Sequence, residues 1–245
     1  MIDLMSLLPQ AAAFAKPPIS NFEVGAIAQG RSGKLYFGAN VEFAGEALSF
    51  TVHAEQSAVV NAWMGGETGI DVVATSAAPC GYCRQFLNEL VTASELVIVM
   101  PGDERKLSDL LPHSFGPRDL GVTGGLLAPA ANALAIDEDD ELARAALVAA
   151  NMSYAPYSKA YAGVALRTNG GKIVSAPYAE NAAFNPSLSP LEAALSQLNM
   201  TGGVWSDIAE VALVQAEAMH TSATRTVLGA ISSAPLRVIQ ARNSR

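Results

Sequence analysis

The chain has 245 residues, half of them hydrophobic and 16% charged, enough for one large domain or two small ones around a real core. Its formal net charge of −8 argues against nonspecific nucleic-acid binding, which rests on neutralising phosphates, and leaves a small uncharged ligand open. Two cysteines three positions apart, Cys80 and Cys83, make no disulfide framework and point to a reducing, cytoplasmic compartment. The opening "MIDLMSLLPQAAAFAKPP" has no basic leader, carries Asp3 and has its apolar run interrupted at Pro9-Gln10, so it reads as an amphipathic helix rather than a signal peptide. No apolar run is long enough to span a membrane, and no membrane partner is expected.

In chain order, residues 23–29 and 34–41 read as strands around a Gly-containing turn. A helix follows at 52–64, then a strand at "DVVATSA", a helix over 80–92 and the strand "ELVIVM". "GVTGGLLAPAANALAIDEDDE" reads as a linker running into a helix at "ELARAALVAAN". Strands at 161–167 and 172–178, a helix at 190–200, a strand at 208–214, a helix at 220–231 and a strand at "LRVIQ" complete the chain.

The two halves repeat. At a constant offset of 138, Pro18 meets Pro156, Ser20 meets Ser158, Gly25 meets Gly163, Gly33-Lys34 meets Gly171-Lys172 and Glu42 meets Glu180. The expected fold is therefore α/β: two tandem ββαβαβ domains, each a mixed sheet sandwiched by helices. The boundaries are 1–120 for the first domain, 121–141 for the linker and 142–245 for the second domain.

A lone Cys-x-x-Cys can be a redox pair, two inert core thiols or half of a zinc site. Pro79 stands where a helix should begin, which puts Cys80 and Cys83 on one face of its first turn, where the helix end favours thiolates. A third ligand must come from elsewhere. Of His53, His113 and His220, only His53 stands at the start of a predicted helix after a hairpin, with Thr51 as a possible cap. At a helix entrance residues 53 and 55 can face one site; in mid-helix they cannot. Three protein ligands leave a fourth position for water, the mark of a catalytic zinc. With one gap after Glu180, Pro190 falls at the place of His53 and Glu192 opposite Glu55. That half holds no cysteine, so one zinc per chain is expected.

"HAE" followed by "PCGYC" resembles the zinc-dependent nucleoside and nucleobase deaminases. "NFEVGA", "GANVEF", "TVHAEQSA", "PCGYCRQFLNEL" and "LPHSFGPRDL" resemble the two-domain, homodimeric cytidine deaminases, and "YAPYSKAYAGVAL" with "YAENAAFNPSLSPLEAAL" resembles their zinc-free C-terminal domain. The likeness runs from about residue 7 onward; at the front, related bacterial enzymes carry a longer helical extension. It implies hydrolytic deamination of cytidine and 2′-deoxycytidine in pyrimidine salvage, by a homodimer acting on a free nucleoside. His53, Cys80 and Cys83 would hold zinc and Glu55 would shuttle protons. Phe22 would lie against the pyrimidine, and Asn40 and Glu42 would bind the ribose 3′-hydroxyl. Backbone near Ala54 and Cys80 would meet the base and the reacting water, Phe115 would complete the pocket at a domain or subunit boundary, and Arg84 would temper the thiolate charge from behind. Read alone, Phe22 is a core strand residue, Asn40 a turn residue, Glu42 a solvated strand end and Arg84 an exposed helix charge. Two rival functions are a deaminase acting on nucleotides, polynucleotides or purines, and a non-enzymatic zinc protein. The acidic balance and "GANVEF" oppose the first, and Glu55, which a structural zinc site does not need, opposes the second.

Overall fold

In the computed structural model, which describes residues 3–244, the expected N-terminal helix is present: Asp3 caps α1 (Leu4–Ala12), which runs through Pro9. Proline has no N–H to give, so one rung of the helix is lost while the Pro9 carbonyl still accepts the Ala13 N–H at 3.1 Å. The hairpin follows: β1 (Gly25–Gly30) and β2 (Leu35–Ala39) turn at Gly33, whose φ of 83° suits a residue without Cβ. Then come α2 (Ala54–Met64), β3 (Ile70–Thr75), α3 (Gly81–Leu87), β4 (Val97–Met100), β5 (Asp103–Lys106) and α4 (Leu107–Leu110). The sheet order is β2-β1-β3-β4-β5, with β3 and β4 parallel and the other pairs antiparallel.

The second half contains β6 (Leu134–Ala135), α5 (Glu141–Met152), β7 (Ala162–Thr168), β8 (Ile173–Pro177), α6 (Pro190–Met200), β9 (Ile208–Gln215), α7 (Thr221–Ile231), β10 (Leu236–Gln240) and β11 (Arg242–Asn243). Its main sheet runs β10-β9-β7-β8.

The repeat holds pair by pair. Gly25 pairs with Ala39 as Gly163 does with Pro177; Ala26 pairs with Thr75 as Val164 does with Leu213; Val73 pairs with Ile98 as Val211 does with Leu236. Both central strands even shift register at the corresponding place, Gln29/Gly30 and Arg167/Thr168. The helix α1 belongs to the repeat as well. A Cβ on Gly25 would meet Ala12 N and Leu8 O at 2.6 Å, and one on Gly163 would meet Ala150 N at 2.2 Å and Ala146 O at 2.5 Å, so α1 packs on β1 as α5 packs on β7.

Two compact units result, and each borrows from the other half of the sequence. The first comprises 1–42, 51–128 and 181–187; the second comprises 43–50, 129–180 and 188–245. The expected boundary at 120 thus moves to Ala128, and the segment read as a linker contains the fully buried Leu126 and the strand β6.

The structure also corrects the alignment of the active helices. The bridge Val41–Val52 corresponds to Ala179–Leu188, so the gap is two residues, not one. Ser189, the N-cap of α6, stands at the place of His53, the N-cap of α2; Leu191 replaces Glu55, and Glu192 is the counterpart of Gln56. Glu192 accepts the Ser189 N–H at 3.1 Å while the Ser189 hydroxyl accepts the Glu192 N–H at 3.3 Å, a reciprocal cap rather than a remnant of a proton shuttle. Tyr178, at the position of Asn40, packs edge-on against His220 at 4.5 Å, and His220 Nε2 lies 2.8 Å from the carbonyl of Ala160.

Burial pushes the Glu192 carboxyl up to about 7 from its ordinary 4.5. Between those values the folded chain holds a proton that the unfolded chain has lost, so this residue's contribution to stability falls as pH rises through that window. Glutamine keeps the cap without the charge. Glu192→Gln is therefore expected to be near neutral at pH 4 and stabilising at pH 8, by up to about 3 kcal/mol from the cost of a pKa unit. Melting curves of both proteins across this range check it; a difference that does not change with pH contradicts it.

Candidate active site

The site grows from the starts of two helices. His53 sits at φ −81° and ψ 153°, outside the helical ladder of α2, and its N–H is taken by the Gln56 side-chain carbonyl at 3.0 Å. The cap is thus His53 closed by Gln56; Thr51 lines the pocket instead. Cys80 is the N-cap of α3, its Sγ accepting the Cys83 N–H at 3.4 Å, so Pro79 lies just outside the helix. The helix is shorter than expected because the Glu89 carbonyl and the Val91 N–H pair with Leu126 instead of continuing the turn.

Ligand atoms of His53, Cys80 and Cys83 all lie within 4.8 Å of one another. Cys80 Sγ is 3.7 Å from His53 Nδ1 and 3.5 Å from Cys83 Sγ. Tetrahedral bonds of about 2.3 Å to sulfur and about 2.0–2.1 Å to nitrogen put such donors about 3.5–3.8 Å apart, so the set fits zinc in spacing as well as in chemistry. Cys80 is exposed and Cys83 buried. The hydrogen bond from Cys83 and the nearby imidazole pull the Cys80 thiol down to about 3, while the bond to Cys80 and burial hold Cys83 well above its usual value. Burial opposes the His53 imidazolium, but the Cys80 thiolate, Glu55 and Glu42 outweigh it and raise its pKa. Among the described residues this is the one such cluster of His, Cys and acidic side chains.

A pocket of about 250 Å³ opens on this cluster, lined by Ser20, Phe22, Val24, Asn40, Glu42, Thr51, His53, Ala54, Glu55, Ala77, Ala78, Cys80 and Cys83. Glu55 is buried, and burial raises its carboxyl pKa despite a hydrogen bond with Cys83. Phe22 is 59% exposed at the rim, so it is no core residue. Asn40 is buried and clamps the neighbouring chain: Oδ1 accepts the Val24 N–H at 2.9 Å and Nδ2 donates to the Phe22 carbonyl at 2.9 Å. Glu42 is buried rather than solvated and accepts the N–H groups of Ile19 and Ser20 and the Ser20 hydroxyl. Burial works against its charge, but these donors and His53 lower its pKa overall. Glu180 accepts the N–H groups of Tyr157 and Ser158 in the same way, so this clamp belongs to the fold in both units.

Phe115 and Arg84 fall outside that lining. Phe115 is 48% exposed, its carbonyl accepting from Gln85 and Asn88. Arg84 donates to the carbonyls of Pro79 at 2.9 Å and Leu110 at 2.8 Å, bracing the turn before Cys80. Sequence reasoning missed Ser20 and Gln56. The repeat at Ser158 and the fourth-residue spacing of a reciprocal helix cap were the available signals.

Models of the cytidine and deoxycytidylate deaminase zinc-binding region match residues 2–100 and 107–227. Cytidine deaminases of Photobacterium profundum and Aliivibrio fischeri are 51% and 49% identical over 93% of this chain, which spans 79% and 78% of their lengths. The chain belongs to the cytidine deaminase family. A solved cytidine deaminase of Mycobacterium tuberculosis is 34% identical with a TM-score of 0.42, covering 47% of this chain and 99% of its own. The chain is a zinc-dependent deaminase of two tandem family domains, with its cysteines confined to the first. Among the described residues no helix is long and apolar enough to cross a membrane.

A depressed thiol pKa keeps a cysteine reactive in mildly acidic solution. In protein stripped of metal, iodoacetamide at pH 6 is expected to label Cys80 well before Cys83, and added zinc to protect both. Peptide mass mapping reads this out; equal labelling, or labelling unaffected by zinc, contradicts the site as described.

Proposed function

We propose that this chain hydrolyses cytidine and 2′-deoxycytidine to uridine and 2′-deoxyuridine with release of ammonia, as a pyrimidine-salvage enzyme of the cytoplasm. The observation that carries the reading is the buried carboxylate of Glu55, two residues from His53, sharing a pocket with His53, Cys80 and Cys83. His53, Cys80 and Cys83 would hold one zinc per chain. When bound, zinc lowers the pKa of a water to about 7 and so makes a nucleophile available at neutral pH.

The rest falls to the chain. Glu55 takes a proton from the attacking water and gives it to N3 of the base, which makes C4 electrophilic. It then takes the water's second proton from the new C4 hydroxyl and delivers it to the departing amine, so that the C4 carbonyl forms as ammonia leaves. Burial, by raising the Glu55 pKa, brings it closer to the range in which a carboxyl can both take and give a proton. Phe22 covers one face of the pyrimidine from the rim, and backbone at Ala54 and Cys80 meets its edge. Asn40 has a second amide hydrogen and Glu42 a lone pair beyond the bonds that hold them, and these are the groups for the ribose 3′-hydroxyl. No Lys or Arg lines the pocket, which disfavours a nucleotide phosphate. Arg84 acts on the thiolates by fixing Pro79 and the turn before Cys80. Phe115, half-exposed in the single chain, suits cover by the second subunit of a homodimer. Sedimentation at two chains per particle supports the dimer, and a monomer at assay concentration refutes it.

Ammonia release from cytidine, 2′-deoxycytidine, 3′-deoxycytidine, cytosine, CMP and adenosine tests the assignment. The first two are expected to be turned over, and CMP and adenosine not. Glu55→Gln should keep its zinc and lose about 10²–10⁴-fold in turnover. Asn40→Ala should narrow the preference for cytidine over 3′-deoxycytidine. Parental turnover in Glu55→Gln, or a preference for CMP, rejects the reading.

A further inference from the structure

Two side chains meet His53 and both reach the same distant stretch of sequence. Gln56 is fully buried; its carbonyl accepts the His53 N–H at 3.0 Å and its amide donates to the Pro186 carbonyl at 3.2 Å. The ring of Tyr82 stacks on the His53 imidazole, centroids 5.0 Å apart and planes 21° apart, and its hydroxyl donates to the Asn185 carbonyl at 2.8 Å. Residues 181–187 come from the second half of the chain but belong to the first compact unit.

That stretch is itself held firmly. Asn181 Nδ2 donates to the Gln85 carbonyl at 3.0 Å, and the Ala182 N–H donates at 2.9 Å to the carboxylate of Glu89, which is fully buried. Within it Phe184 sits at φ 61°, a left-handed conformation that a bulky side chain keeps only where surrounding contacts over-determine it. The second unit supplies the contrast. Glu192, the counterpart of Gln56, closes the cap on Ser189 through the same acceptor position but carries no amide N–H to send onward. The cap needs only an acceptor; the amide of Gln56 adds the donor that reaches Pro186.

We propose that Gln56 and Tyr82 are positioning residues for the metal ligand His53, and that residues 181–187 are the brace that holds them. His53 lies at a helix entrance, where the helical ladder does not fix its N–H. Gln56 fixes the backbone, Tyr82 fixes the plane of the ring, and together they keep Nδ1 turned toward Cys80 Sγ at 3.7 Å. Groups that orient a metal-bound imidazole typically change metal affinity about 10–100-fold. The inference rests on the reading of His53 as a zinc ligand.

The test is the rate at which zinc-loaded, full-length protein surrenders metal to an excess of a colorimetric chelator at pH 7.5. Parent, Tyr82→Phe, Tyr82→Leu, Gln56→Ala and Asn181→Ala are compared, with melting temperatures of all five measured in excess chelator. Tyr82→Leu and Gln56→Ala are expected to release zinc at least about tenfold faster. Tyr82→Phe, which keeps the ring and loses the Asn185 bond, should fall between parent and Tyr82→Leu. Asn181→Ala, which touches neither His53 nor the pocket, should also speed release. Tyr82 is only half-buried, so its two variants decide the matter if Gln56→Ala does not fold. Parental release rates in Tyr82→Leu and Asn181→Ala, or rates that merely follow the metal-free melting temperatures, overturn the proposal. Parent protein that binds no zinc would instead reject the functional reading beneath it.

Discussion

Gly38 sets the distance on which the site depends. A Cβ there would meet Ala58 N at 2.2 Å and Ala54 O at 2.4 Å, so only glycine lets the first turn of α2 lie this close to β2. Ala54 follows His53 directly, and the same contact therefore fixes where that histidine enters the pocket. Strand β3, on the other side of β1 from β2, leads through Ala77 and Ala78 to Cys80, so two helix entrances converge beside one sheet. The metal cluster follows from this backbone geometry; the thiols and the imidazole occupy positions that the packing has already brought together.

The second unit shows which features belong to the frame and which to the chemistry. Its strands pair in the same register, its sheet shifts at the same place and Glu180 clamps the backbone as Glu42 does. In the pocket the residues change: Ser189 and Leu191 replace His53 and Glu55, His220 stands at the N-cap of α7 as Cys80 does at that of α3, and Tyr178 replaces Asn40. Glu42 thus has a duty in holding residues 19–20 that does not require a substrate. Asn40 has no such counterpart: Tyr178 stands at its position, so its clamp on Phe22 and Val24 belongs to the first unit alone.

Much of this was legible because a repeat compares a chain with itself. The offset between Gly25 and Gly163 is visible in the sequence and the ladders of both halves follow it, and His53, Cys80 and Cys83 lie together as their spacing suggests. The helix counterpart went unseen because α1 and α5 share close contact with a glycine and little sequence pattern. The strand β5 is "DERK", exposed along its whole length; it has no apolar alternation to detect, and its charges suit an unpaired sheet edge. The gap in the second half was misjudged because two glutamates, Glu55 and Glu192, invited alignment, whereas the bridge Ala179–Leu188 sets the true register. The swap of residues 43–50 and 181–187 between units rests on contacts made far apart in sequence, such as Gln56 with Pro186, which no local pattern reports.

Three side chains from two helix entrances, His53, Cys80 and Cys83, make one cluster with the chemistry of a zinc site. X-ray absorption at the zinc edge of the purified protein tests it most directly. The expected spectrum has two sulfur neighbours at about 2.3 Å, one imidazole nitrogen at about 2.0–2.1 Å and a fourth light atom at a similar distance. One sulfur should vanish in Cys80→Ser and the imidazole scattering in His53→Ala. A parent spectrum without sulfur, or one unchanged by both substitutions, would place the metal elsewhere and contradict the account.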